Sequence, residues 1–200
     1  MNPIGNLLKL FKKRTTQQSE NDKRWLEGFN AFQKANDFFL KKRVQETLDC
    51  CDKAIDCGYV DDSEVYSMRG WCLQSLNYDL DAIEDFDRAI ALQPEDSDFF
   101  FQRSISKGST GDQHGRVSDL REAIRLAGID NACTRSHDAL AKEWGYENSA
   151  HFYEMQMVMA KVDLVFLEEN SDPASSSYTY YQEFFKKKAN MRRRPKVQRE

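Results

Sequence analysis

Residues 63–96 read SEVYSMRGWCLQSLNYDLDAIEDFDRAIALQPED, and the fold is decided here. Ile83, Phe86 and Ile90 are spaced by three and four residues, and Ala82, Phe86 and Ala89 mark the same face. That is the period of an amphipathic helix. Asn77-Tyr78-Asp79 reads as a turn, and Pro94 stops the second helix because it cannot continue the hydrogen-bond ladder. The stretch therefore predicts two helices, at about 63–76 and 79–92.

The same pattern recurs on either side. A shift of 34 residues places Ser104 on Gly70, Leu120 on Phe86, Ala123 on Ala89 and Ile124 on Ile90. A shift of 35 in the other direction places Ala35, Cys51, Ala54 and Ile55 on the same four positions, the extra residue falling in the loop 58–62. Three helical pairs follow: 24–40 with 43–57, 63–76 with 79–92, and 97–108 with 114–127. Gly58 and Gly128 read as stops. Past residue 130 the pattern decays. Residues 131–143 predict another helix, Trp144-Gly145-Tyr146 a turn, and Asn148 or Ser149 the cap of a helix reaching about 168. A stack of repeats must cover its last apolar face, so 131–168 reads as a divergent capping pair.

In order, Gly70, Tyr78, Ala82, Phe86, Ala89 and Pro94 resemble the tetratricopeptide repeat (TPR). The first unit departs from that pattern at Thr47 and Tyr59, the third at Arg116, and the capping pair at Glu154. The resemblance implies an all-α, short right-handed TPR-like α-solenoid of helix-turn-helix repeats with a divergent C-terminal capping helix pair. The organisation expected is an amphipathic and basic segment over 1–22, a helical domain over 23–168 with repeats 28–62, 63–96 and 97–130 and a cap 131–168, then a linker, aromatic cluster and basic tail over 169–200.

The resemblance also implies a concave groove lined by the first helix of each pair. Carried over, its positions are Phe29, Phe32, Asn36 and Phe39, then Ser67, Trp71 and Gln74, then Phe101 and Ile105. Such a groove suits a partner peptide or helix with apolar anchors. A subgroup of the family grips chaperone C-terminal carboxylates with Lys, Arg and Asn. Here Asn36 fits one such slot, but Phe32, Met68, Asp98 and Gln102 occupy the others, so that reading is rejected. Arg69 and Arg103 hold equivalent places, either as groove-edge cations or as salt-bridge partners of a carboxylate such as Glu84 or Asp85.

Composition narrows the rest. The 200 residues are 40% hydrophobic and 31% charged, which excludes fibrous and disordered classes. No run of apolar residues is long enough to span a bilayer. Five cysteines, odd in number and unevenly spaced, argue against a disulfide framework and for a cytoplasmic, reducing setting. The spacing of His and Cys predicts no metal site and no cofactor. Cys133 with His137 is a chance i, i+4 pair rather than a nucleophilic dyad. No constellation supports an enzyme.

The charge is segregated. Of 29 basic groups, twelve lie in residues 1–14 and 186–200, which hold one of the 33 acidic groups, leaving the middle at about −15. Ile4, Leu7, Leu8 and Phe11 oppose Lys9, Lys12 and Lys13 on a helical N-terminus, an interfacial pattern. Tyr180, Tyr181, Phe184 and Phe185 precede Lys186, Lys187, Lys188, Arg192, Arg193 and Arg194. The sequence therefore predicts a non-catalytic protein–protein adaptor or scaffold. The alternative is a membrane- or nucleic-acid-associated assembly factor working through its tails, with peripheral membrane contact. A third reading has the aromatic tail filling the groove.

Overall fold

The computed structural model describes residues 3–169 and 193–194, with side chains over 18–165 and at Glu168, Arg193 and Arg194. Among them eight helices follow one another: α1 Pro3–Leu40, α2 Val44–Asp56, α3 Ser63–Ser75, α4 Asp79–Leu92, α5 Ser97–Thr110, α6 Gln113–Ala127, α7 Ala132–Glu143 and α8 Ser149–Glu169. The pairs α1/α2, α3/α4 and α5/α6 pack as hairpins, and α2 lies on α3 as α4 lies on α5. Helices α2 to α7 begin and end within three residues of the sequence expectation. Helix α1 does not: it runs unbroken across the boundary at 22/23. After Pro3 at its start it contains no proline, so nothing interrupts the backbone ladder before Leu40.

The hairpin turns repeat with the phase of the sequence. Lys42, Asn77, Gly111 and Gly145 are all left-handed, with φ of 56°, 62°, 91° and 89°. Each is followed by a residue whose N–H reaches back five positions: Arg43 to Phe38, Tyr78 to Leu73, Asp112 to Lys107, Tyr146 to Ala141. These are Schellman closures, which satisfy carbonyls orphaned at a helix end. The starts of the first helices α3, α5 and α7 are also alike: Asp62, Asp96 and Asn131 each accept a backbone N–H of the first turn. The pair α7/α8 is thus a fourth hairpin in phase with the others.

Three apolar clusters form the core. The first joins Phe32, Ala35, Cys51, Ala54, Tyr59 and Val65; the second joins Leu48, Cys72, Leu73, Ala82 and Phe86. The third runs from Phe101, Leu120 and Ala123 to Tyr153, Met157 and Ala160, so α8 covers α6. Gly70 is required in the second cluster. A Cβ there would lie 2.9 Å from the fully buried ring of Phe86.

Between the clusters run ion pairs. Arg69 on α3 makes a forked pair with Asp85 on α4, at 2.7 and 2.6 Å, and donates to Asp52 on α2 at 3.2 Å. One repeat later Arg103 forks onto Asp119 on α6, at 2.8 and 2.7 Å, and reaches Asp87 on α4 at 2.5 Å. Burial opposes the charge on Arg69, but Asp85 and Asp52 more than offset it and hold the guanidinium protonated. Of the two roles open to these arginines, the salt bridge is the one found.

Asp85 is 4% exposed in its side chain, and Arg69 is the cation it pairs with. Arg69→Met should therefore cost about 3–5 kcal/mol by leaving that carboxylate buried and unpaired. Arg69→Met with Asp85→Leu should recover most of the loss. Urea unfolding followed by circular dichroism measures both. Equal losses in the single and the double variant would mean that packing, not charge, is at stake.

Candidate functional site

A cleft of about 490 Å³ opens between the first helices of the hairpins and the last hairpin. Its wall is mainly aromatic. Phe39 of α1 meets Trp71 of α3 edge-on at 4.9 Å. Phe101 of α5 packs against Phe152 and Tyr153 of α8 at 5.0 and 5.1 Å, and Trp144 lies 5.5 Å from Phe152. Trp144 and Leu140, at the rim, are 56% and 42% exposed. Among the described residues no Lys or Arg lines the cleft, and its ionisable groups are Glu64, Asp98, His137 and Tyr153.

The two carboxylates sit unfavourably as anions. Burial raises the pKa of Glu64, and nearby Asp62 and Asp96 add to it. Burial also raises Asp98, against the pull of His137 and of the Gln102 amide, which donates to it at 3.2 Å. Asp98 has the His137 imidazole beside it, and Glu64 has no Lys or Arg among the described lining residues.

The positions named from sequence divide between this cleft and the core. Phe39, Ser67, Trp71 and Phe101 line the cleft. Phe32, expected in the groove, is 3% exposed and belongs to the first core cluster. Phe29 is likewise turned to that cluster. The cause is Tyr59, whose ring lies 5.9 Å from Phe29 and 5.4 Å from Phe32. Asn36 and Gln74 also fall outside the lining. The Asn36 amide donates to Phe32 O of its own helix, and the Gln74 amide ties α3 to Gln102 O and Ser106 Oγ of α5. Ile105 is one turn beyond the part of α5 that α7 and α8 close over, and lies outside the lining with 38% exposure.

Leu140, Trp144, Phe152 and Tyr153 were missed because they lie on the capping pair, whose placement depends on tertiary packing. His137 was seen only as a partner for Cys133. Its Nδ1 instead hydrogen-bonds with Ser97 Oγ at 3.2 Å, and its Nε2 lies 3.7 Å from Asp96. The Cys133 thiol takes the Gln93 amide at 3.1 Å, and burial and Asp96 push its pKa up, away from a nucleophile. Ser97 is 1% exposed, so its hydroxyl sits inside a packed polar network with His137 and Asp96, of which His137 reaches the cleft. Among the described residues no cluster of His, Cys, Asp and Glu can hold a metal ion.

Of the tail residues, Lys186, Lys187, Lys188, Arg192 and the aromatic cluster 180–185 lie outside the described residues. Lys9, Lys12 and Lys13, like Ile4, Leu7, Leu8 and Phe11, belong to α1, whose side chains are described only from residue 18. Arg193 and Arg194 lie against carboxylates of α2 and α4. No helix among the described residues is long and apolar enough to cross a membrane.

No protein-family profile and no curated protein matches this sequence. Solved structures do. PcrH, in complex with the chaperone-binding region of PopD, superposes with a TM-score of 0.56 at 14% identity, over 67% of this chain and 90% of that one. The TPR2B domain of yeast Sti1, in its pHsp70 complex, gives 0.54 at 17% identity, over 69% and 98%. The Yersinia enterocolitica type III secretion chaperone SycD, with a peptide of the translocator YopD, gives 0.53 at 16%, over 67% and 92%. The chain is similar to all three in fold, which is that of a TPR solenoid.

Asp98 supplies a pH test. A carboxyl with a raised folded pKa makes the protein lose stability as pH climbs from the unfolded value, about 3.9, through the folded one. Asp98→Asn should then raise the urea midpoint at pH 7, with a gain that shrinks towards pH 4. A gain of the same size at both pH values would remove the buried charge as its cause.

Proposed function

We propose that this chain is a non-catalytic protein-interaction adaptor whose cleft holds an extended or helical peptide segment of a partner. The observation that carries this reading is the cleft itself: among the described residues it is lined by six aromatic rings and two carboxylates, with no Lys or Arg. Aromatic walls supply most of the affinity of a peptide site, because large rings leave water on binding. The carboxylates Glu64 and Asp98 select against an acidic segment and favour one that carries Lys or Arg among apolar residues. An ammonium or guanidinium placed there would meet a carboxylate and the face of Trp71 or Phe101 together.

The neighbours in fold support the peptide-binding part of this reading, since the Sti1, PcrH and SycD structures each contain a bound partner segment. The charge sets this cleft apart from a carboxylate-gripping one. Where such a site needs cations, this chain has Phe32, Asp98 and Gln102.

A peptide-display library panned on the full chain tests the proposal. Enriched peptides should combine aromatic or aliphatic residues with Lys or Arg. Trp71→Ala should weaken them by about 30-fold, the loss of one strong contact of roughly 2 kcal/mol. The far-UV circular dichroism of the variant should be unchanged. Enrichment of acidic peptides, or binding indifferent to Trp71→Ala, would refute the proposal.

A further inference from the structure

The layer formed by α2 and α4 contributes no residue to the cleft. It carries Asp49 and Asp52 on α2, and Asp81 and Glu84 on α4. Two arginines from the far end of the chain are seated on these four carboxylates. Arg193 Nη1 reaches Glu84 at 2.9 Å and Asp81 at 3.2 Å. The backbone N–H of Arg194 donates to the second oxygen of Asp81 at 2.6 Å. The Arg194 guanidinium pairs with Asp52 and comes to 3.9 Å from Asp49.

This arrangement has the marks of a built site. Asp81 is shared between a side chain and a backbone donor of consecutive residues, so it fixes the register of the bound segment. Asp52 is shared as well: one oxygen takes Arg69 from inside the stack and the other takes Arg194 from outside. Arg194 is 27% exposed in its side chain, well inserted for a terminal arginine. Arg194 turns separate nitrogens to separate carboxylates, Nη1 to Asp52 and Nη2 towards Asp49, a spread that the single ammonium of lysine covers less well.

We infer that the α2–α4 face is a second binding site, specific for an arginine-pair segment, which the chain's own Arg193–Arg194 fills in cis. Residues 170–192 connect Glu169 to this site. Fully extended, they span up to about 80 Å, ample to return from α8 to the first two hairpins. A tether of this length also keeps the arginines at an effective concentration near millimolar, so a separate basic peptide competes at a disadvantage. The site is independent of the cleft, and its basic ligand is engaged by protein carboxylates instead of phosphates.

A fluorescein-labelled peptide of residues 189–200 tests this by anisotropy at low salt, with the full-length chain as receptor. The Arg193→Ala/Arg194→Ala variant should bind the peptide at least tenfold more tightly than the wild type, whose site is already filled. Adding Asp81→Asn and Glu84→Gln to that variant should weaken binding about tenfold or more, with the circular dichroism spectrum retained. Trp71→Ala should leave it unchanged, and a peptide with Lys at 193 and 194 should bind more weakly. Equal affinity for wild type and the arginine variant, or binding that survives loss of Asp81 and Glu84, would overturn the inference. So would a wild-type dimer, seen by sedimentation velocity, that Arg193→Ala/Arg194→Ala dissolves, because the arginines would then sit on a neighbouring copy.

Discussion

A largely buried arginine in each of the two middle layers, joining the two helices of its own hairpin to a third from the layer before, is the contact on which the stack depends. Apolar faces alone would let neighbouring hairpins slide, since their attraction is non-directional. Arg69 and Arg103 remove that freedom. Each makes a planar two-bond fork with an aspartate on its partner helix and a further bond back to the preceding layer. The residues stand at matching offsets, 34 for the arginines and for Asp85 and Asp119, and 35 for Asp52 and Asp87. The ion pairs therefore repeat with the same phase as the apolar clusters, and each layer docks on the last in one orientation.

The series ends in the fourth hairpin, and its end shapes the cleft. A step of 34 from Arg103 gives His137, and the same step from Asp119 gives Tyr153. No forked pair can form between them. The preceding layer offers Arg121 at the position where it offered Asp87 before. Helix α8 packs on α6 through Tyr153, Met157 and Ala160, while α7 stands across the mouth of the concave side. His137 finds Ser97 instead, and Tyr153 lies 3.4 Å from the same hydroxyl. Losing the arginine thus frees the last hairpin to bring Leu140, Trp144 and Phe152 to the cleft.

The repeats were legible because their signals are local. Spacing of Ala82, Phe86 and Ala89, the small residue at 70 and the proline at 94 each act within one hairpin, and the structure follows them. The Arg69–Asp85 pair was legible for the same reason. What could not be read depends on which surfaces remain uncovered. Phe29 and Phe32 look like groove residues until Tyr59 is seen to fold under them, and nothing in the spacing of α1 announces that loop. The cleft wall on α7 and α8 was equally hidden, although the offset from Arg103 to His137 is a signal a reader could use. The tail contacts join residues more than a hundred positions apart, and no periodicity reports such a pairing.

The four left-handed turns differ in kind along the chain. Lys42 and Asn77 hold the conformation in the first two hairpins, glycine in the last two. A lysine there is disfavoured by about 1–2 kcal/mol relative to a right-handed conformation, asparagine by less, and glycine by almost nothing. In an array whose layers touch only their neighbours, assembly can start anywhere and spread. The backbone cost of closing a hairpin is therefore unequal along the array: the first two layers carry it in their turns, and the last two are nearly relieved of it.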